Sequence, residues 1–225
     1  MADLPSWFLP RPPMPLNVET RAAFDTLYEQ LKVSGGSLGR YDLAAPLWQF
    51  LCYIADTKDV LLHGSGDPAI SIFEPRKSND VHAFGDQQAV YASSDGLWPM
   101  YFAVIDRSRI PLICNSSARV RSAAGELGDP FYFFSVSAPA LAERPFRPGT
   151  IYLLPRATFQ QQPAEPHPKG ELLVAQWASL VPVKPLARLT VAPEDFPLLD
   201  AIRGHDDETL LARAKANPAG FPWVD

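Results

Sequence analysis

A histidine at the end of a short apolar run is the first residue in this chain with the means to do chemistry. Leu61 and Leu62 lead directly into His63-Gly64-Ser65, and a run of this kind predicts a buried strand that ends at the histidine. Glycine has no Cβ atom, so a ligand can come close to the backbone at Gly64. An imidazole beside an open backbone can hydrogen-bond a ligand hydroxyl, although a lone histidine after a strand is more often structural.

A tyrosine in a similar context follows 28 residues further along the chain. Phe84-Gly85 precedes a predicted strand that contains Tyr91, and Ser93-Ser94-Asp95 is a natural cap for a helix that carries Tyr101. Aromatic rings in such places either fill the core or form the wall of a pocket for a flat ring. The matching strand ends predict one cleft that contains His63 and Tyr91.

A third polar strand follows late in the chain, over residues 171–179, and a valine-rich hairpin comes directly after it. This strand carries two residues of interest, Glu171 and Gln176. Residues separated by an odd number point to opposite faces of a regular strand. Glu171 and Gln176 therefore cannot both enter one cleft unless a bulge intervenes.

The three segments resemble, in their order and spacing, the ADP-ribosyltransferase fold in its diphtheria-toxin-like, poly(ADP-ribose)-polymerase-like branch. The resemblance rests on LLHGS, on FGDQQAVYAS and on the late polar strand before the hairpin, and it covers residues 59–191, more than half of the chain. It implies that His63 hydrogen-bonds a ribose hydroxyl of NAD. It further implies that the Gly64 backbone binds the nicotinamide carboxamide beside Ser65, and that Tyr91 and Tyr101 enclose the nicotinamide ring.

The resemblance also implies a late carboxylate that stabilises the oxocarbenium-like transition state as nicotinamide leaves. Glu171 supplies this carboxylate in one register, whereas Gln176 occupies the position in the other, which we prefer. An amide can hydrogen-bond a ribose but has no negative charge, so transfer chemistry would then be weak or absent. Arg76, in a polar loop, either binds a ligand phosphate or pairs with a nearby acid.

Composition and charge exclude several classes of function. The 225 residues carry a net charge of −5, which argues against binding to DNA or RNA because that requires clustered Lys and Arg. The four histidines are too dispersed to predict a zinc site, so we expect no metal. No apolar run approaches the roughly 18 residues of a membrane span. Cys52 and Cys114 lie in apolar runs and no basic leader precedes the chain, which favours the cytoplasm.

The elements that position these residues follow from hydrophobic periodicity. Prolines predict an extended arm over 1–16, and apolar residues at helical spacing predict two helices, from Asn17 to Leu31 and from Asp42 to Asp56, that form a layer over 17–56. Further helices are expected at 97–104, 195–203 and 206–216, and strands at 60–62, 89–92, 110–114, 131–136, 150–154, 172–177 and 186–191, with a loop at 160–170.

The predicted fold class is α+β, with short, mostly antiparallel strands. By the resemblance, residues 57–192 form an ADP-ribosyltransferase-like split antiparallel sheet, and residues 193–225 form a helical tail. The implied function is an NAD-binding ADP-ribosyltransferase or NAD glycohydrolase of a bacterial, intracellular type, with NAD as substrate and an unknown acceptor, for which a protein is one candidate. The alternative is an inactive module on the same fold that binds a nucleotide or a protein. A third possibility, chemistry like that of tRNA 2′-phosphotransferases, is disfavoured by the acidic charge.

Overall fold

The protein has an α+β fold, as predicted. The computed structural model describes residues 5–33, 36–38, 41–78 and 80–224, and within these ranges the chain forms five α-helices and fourteen strands. The helices are α1 Val18–Val33, α2 Leu47–Thr57, α3 Trp98–Val104, α4 Ala138–Ala142 and α5 Asp207–Ala216. The strands are β1 Leu9–Pro10, β2 Ser37–Leu38, β3 Val60–Ser65, β4 Arg76–Lys77, β5 Gln88–Ser93, β6 Ile113–Ser122, β7 Phe131–Ser137, β8 Gly149–Pro155, β9 Gln160–Gln161, β10 Glu165–His167, β11 Gly170–Val174, β12 Gln176–Ser179, β13 Ala187–Val191 and β14 Arg203–His205.

The described strands form two sheets. The first has the order β1-β7-β6-β11-β10, and β14 also pairs with β7. The second has the order β2-β13-β8-β3-β5-β12-β9, and β4 also pairs with β5. Most of the pairs are antiparallel; the short strands β2 and β14 pair in parallel with β13 and β7.

One stretch of chain joins the two sheets. The predicted single strand at 172–177 is in fact two, because β11 pairs with β6 in the first sheet and β12 pairs with β5 in the second. The change occurs at Ala175, whose N–H donates to the Ser117 carbonyl while its own carbonyl accepts from the Ser94 N–H. Ala175 therefore marks the point at which the two sheets separate.

The helices follow the predicted pattern at both ends of the chain, with two corrections. The Asn17 side chain accepts from the Thr20 amide at 2.8 Å and caps α1, as predicted. Helix α2 begins at Leu47 rather than Asp42, since Pro46 precedes it in an extended conformation. The predicted helix at 195–203 is wrong. Two short 3₁₀ turns at 193–195 and 199–201 lead instead into β14. Pro193 and Pro197 prevent a regular helix in this stretch.

The helical layer and both sheets share one hydrophobic core. Its members come from α1, α2, α3 and the two sheets, for example Phe24, Leu51, Leu62, Tyr132 and Leu153. Each large side chain that is fully buried contributes about 1.5–3 kcal/mol to stability. The loop predicted at 160–170 contains β9 and β10, which are too short to show any periodicity in the sequence. None of the described helices is long and apolar enough to cross a membrane.

Candidate ligand-binding site

The strands that carry the two best motifs and the preferred late polar residue lie side by side, in the order β3, β5, β12. Strand β3 pairs with β5 at a single position, where Leu62 faces Ser93. On the other side of β5, Ser93 faces Gln176 of β12. Because the pairing of β3 with β5 stops after Leu62, the two strands separate there. His63 and Gly64 lie at the start of the resulting gap, which we call the β3–β5 gap.

The His63 ring crosses the β3–β5 gap to the backbone of β5. Its Nδ1 lies 2.7 Å from the carbonyl oxygen of Tyr91, and since a carbonyl can only accept, Nδ1 carries the proton and Nε2 is left as an acceptor. The ring edge of Phe73 packs against the imidazole, with centroids 4.6 Å apart. Burial lowers the pKa of His63, although the bond to Tyr91 opposes this effect. No hydrogen bond joins Nε2 to any described residue, so the neutral imidazole presents an acceptor for a ligand hydroxyl.

The backbone edge of Gly64 faces the same gap. The Tyr91 carbonyl points toward β3, so the alternation of an antiparallel ladder directs the backbone groups of Ser93 toward Leu62. The same alternation along β3 directs the N–H and C=O of Gly64 to that side. The opposite neighbour of Gly64 is Ile151 of β8. Among the described residues no strand pairs with Gly64 across the gap, so one donor and one acceptor are presented there.

Gly64 is also one of the points at which α3 packs directly on the sheet. A Cβ atom at Gly64 would lie 1.8 Å from the carbonyl oxygen of Pro99 and 2.9 Å from the amide nitrogen of Ala103. Both are backbone atoms of the helix, so only glycine permits this approach. The start of the helix is fixed by Asp95, whose Oδ1 accepts from the amides of Leu97 and Trp98, both at 2.8 Å. The glycine therefore serves the packing as well as the open edge.

Tyr91 is partly buried, and its hydroxyl is tied to the loop that precedes β5. The hydroxyl oxygen accepts from the Gln87 amide at 2.9 Å and lies 3.0 Å from the Phe84 carbonyl, to which it can donate. Burial raises the pKa of Tyr91. The register places Gly64 opposite Tyr91, so the tyrosine and His63 side chains leave their strands on opposite faces. At the β3–β5 gap the imidazole meets only the backbone of Tyr91, so the two side chains do not form the predicted shared cleft.

Tyr101 lies outside the site, and its predicted role is corrected. Its side chain is fully buried, its hydroxyl donates to the Ser135 carbonyl at 2.9 Å, and its ring stacks on Phe134 at 4.8 Å. Burial raises the pKa of Tyr101. No face of the ring is open to a ligand, because α3 turns this residue toward the first sheet.

The structure separates Glu171 from Gln176. Glu171 lies on β11 in the first sheet, opposite Arg121, and forms a half-exposed ion pair with it at 3.2 Å. The expectation that Glu171 occupies the cleft is thus corrected, since the change of sheet at Ala175 carries it away from β5. Gln176 lies on β12, the strand next to Tyr91. Its side-chain amide is partly buried and makes no hydrogen bond to any described residue.

Two polar residues that the sequence does not predict, Gln162 and Glu165, are linked to the backbone of Gln176. The Gln162 amide N–H donates to the Gln176 carbonyl at 2.9 Å, and the buried Gln162 side chain donates to Glu165 at 3.0 Å. Glu165 is thus linked through Gln162 to the backbone of Gln176. No signal in the sequence identifies this pair, because it lies among prolines in the stretch predicted as a loop.

Ser65 and Arg76 complete the set of predicted site residues. Ser65 ends β3 and accepts from the Asp67 amide at 3.1 Å, so it closes the turn after the glycine. Arg76 lies on β4, opposite Ala89 of β5, and is exposed. Its side chain forms no ion pair or hydrogen bond with any described residue, whereas the side chain of its neighbour Lys77 pairs with Asp86 at 2.8 Å.

A separate cavity of about 450 Å³ lies between α1 and the end of β8, lined by Tyr28, Lys58, Arg156 and their neighbours. None of His63, Gly64 and Gln176 lines it. Within the described residues, no three His, Cys, Asp or Glu side chains come together in a way that would hold a metal ion.

Comparisons with models of protein families, with curated proteins and with solved structures find no match to this chain.

Proposed function

We propose that the β3–β5 gap binds NAD or a fragment of NAD, and that it does so without transferring ADP-ribose. The observation that carries the proposal is the placement of His63 and Gly64 on β3 and of Gln176 on β12, with only β5 between the two strands. This is the inactive-module alternative of the sequence analysis, and it is favoured because the acid Glu171 lies on the other sheet.

The polar groups at the gap complement the nicotinamide end of the ligand. A carboxamide has one donor group and one acceptor oxygen, which match the C=O and N–H of Gly64. A ribose hydroxyl can donate to Nε2 of His63, because Nδ1 is already bonded to the Tyr91 carbonyl. The unpaired Arg76, on the strand beside β5, is a further cation for a phosphate.

Catalysis of transfer would require a negative charge next to the ribose. Positive charge develops on the sugar as nicotinamide leaves, so a carboxylate acts mainly in the transition state. In the register that we prefer, the corresponding residue is Gln176 on β12, which is neutral. A ligand can therefore be held by hydrogen bonds while the barrier to bond cleavage is not lowered.

The proposal is tested by titrating the protein with NAD, ADP-ribose and nicotinamide and measuring melting temperature and Kd. At a hundredfold excess over Kd, binding adds about 2.7 kcal/mol of stability, which raises the melting temperature by roughly 5–11 °C for a chain of this size. His63→Phe should abolish this rise. His167→Phe, on β10 of the other sheet, is the matched control and should keep it.

Two outcomes would overturn the proposal. If none of the three ligands changes the melting temperature at millimolar concentration, the gap is not a nucleotide site and a protein-interaction module remains. If wild-type protein releases nicotinamide from NAD well above background, the chain is an active transferase or glycohydrolase instead.

A further inference from the structure

We propose that Arg11, in the N-terminal arm, is a positioning residue for the Gly64 edge, and that it acts through Asp95 and α3. The ligand-binding part of this inference rests on the proposed function, whereas its structural part does not. Arg11 and Asp95 lie far apart in the chain, since their residue numbers differ by 84.

The arm is held against the first sheet and inserts Arg11 into the protein. Leu9 and Pro10 pair with Tyr132 and Phe131 of β7. The Arg11 side chain that follows is only 10% exposed. Its guanidinium donates to Asp95 at 2.8 Å, to Asp56 at 2.5 Å and to the Tyr132 hydroxyl at 3.2 Å. Each of the three guanidinium nitrogens therefore donates to an oxygen atom.

Asp95 connects this arginine to the helix. Its side chain is 3% exposed, and such a buried carboxylate needs charged or hydrogen-bonded partners on both oxygens. Oδ2 accepts from Arg11 and from the Tyr132 hydroxyl, both at 2.8 Å. Oδ1 accepts from the amides of Leu97 and Trp98 at the start of α3. Arg11 thus fixes the direction of the carboxylate that caps the helix.

The first turn of α3 in turn sets the position of Gly64. A Cβ atom at Gly64 would lie 1.8 Å from the Pro99 carbonyl oxygen in that turn, and a Cβ atom at Gly96 would lie 2.4 Å from the Cys52 nitrogen of α2. A rotation of Asp95 would release the amides it caps and shift the Pro99 carbonyl. The β3 edge at Gly64 would shift with it, because no atom of a side chain separates the two backbones.

Arg119 provides a matched control in the same charged cluster. It pairs with Asp56 at 2.7 Å but has no hydrogen bond or ion pair with Asp95. Arg11→Met and Arg119→Met each remove one cation of similar size that contacts Asp56. Only Arg11→Met removes the link to the cap of α3.

The experiment measures amide hydrogen exchange and the Kd for NAD in wild type, Arg11→Met, Arg11→Lys and Arg119→Met. We expect Arg11→Met to speed exchange at the amides of Leu97 and Trp98 at least tenfold and to raise the Kd about tenfold. Arg11→Lys should restore part of both, and Arg119→Met should leave both within twofold of wild type. Equal exchange at these amides in the two methionine variants would overturn the proposal.

If Arg11→Met does not fold, a second variant tests the same proposal. Asp95→Asn keeps the Oδ1 acceptor for α3 and removes the buried charge, so Arg11→Met/Asp95→Asn should fold. Its α3 amides should still exchange faster than those of Asp95→Asn alone, and equal rates would overturn the proposal. If wild type binds no NAD, the proposed function fails, but the exchange rates still decide whether Arg11 holds the cap of α3 that packs on Gly64.

Discussion

Replacing Gly64 by alanine tests the contact between α3 and β3 on which the site depends. The added Cβ would lie 1.8 Å from the Pro99 carbonyl oxygen, 2.8 Å from the Pro99 carbonyl carbon and 2.9 Å from the Ala103 nitrogen. All three are backbone atoms, so no side chain can rotate to make room. A carbon and an oxygen that are not bonded normally stay at least about 3.3 Å apart. The helix and the strand must therefore separate by more than about 1 Å.

The magnitude follows from the cost of overpacking a well-packed interior, which is about 1–3 kcal/mol. For a chain of this size each kcal/mol shifts the melting temperature by roughly 2–4 °C. We therefore expect Gly64→Ala to melt roughly 2–12 °C below wild type. We also expect it to lose NAD binding, because the displaced edge no longer presents its N–H and C=O to the gap.

The assay is urea unfolding together with calorimetric titration of NAD. Gly128→Ala is the matched control, since its Cβ would meet only the Val120 carbonyl, at 3.2 Å, on an exposed turn. An exposed substitution of this kind should change the free energy of unfolding by no more than about 0.5 kcal/mol. If Gly64→Ala proves as stable as Gly128→Ala, the close approach of α3 to β3 is not present in solution.

Three further results are expected. Gln176→Glu should raise nicotinamide release from NAD above the wild-type background, measured by chromatography, because it places a carboxylate on β12, the strand next to β5. Gln160→Glu, on the edge strand β9, should not. Burial lowers the pKa of His205 against the opposing effect of Asp207 and Asp206, so the unfolded chain takes up a proton near pH 6.5 before the folded protein does. The free energy of unfolding should therefore fall as pH decreases below about 6.5. His205→Gln should reduce this pH dependence, measured by urea titrations at successive pH values. An unchanged pH dependence would show that His205 titrates equally in the folded and unfolded states. Asp206→Ala should cost about 1 kcal/mol of unfolding free energy, since Asp206 caps α5 through the Thr209 amide at 2.8 Å, and a loss below about 0.3 kcal/mol would contradict the capping role.

Local patterns predict the parts of the fold that depend on neighbouring residues. The caps at Asn17 and Asp206 and the buried strand that leads to His63 are all found where the sequence indicates them. Each depends on contacts within a few positions of the chain. Side-chain preferences at helix ends and strand periodicity are sufficient to identify such features.

Contacts between distant residues account for what the sequence could not predict. Helical spacing shows that α3 has an apolar face, but not that Tyr101 faces the first sheet rather than the β3–β5 gap. The change of sheet at Ala175 depends on hydrogen bonds to Ser117 and Ser94, and it alone decides between Glu171 and Gln176. Arg11 gives no local signal, because its partner Asp95 lies in another part of the chain.

Nuclear magnetic resonance titration of ¹⁵N-labelled protein with NAD tests the central claim most directly. The account predicts that the backbone amide of Gly64 and the side-chain amide of Gln176 shift together in a saturable way. No free nicotinamide should accumulate in the sample during the titration. Shifts confined to residues around Tyr28 and Lys58, in the cavity between α1 and β8, or no shifts at all, would contradict it.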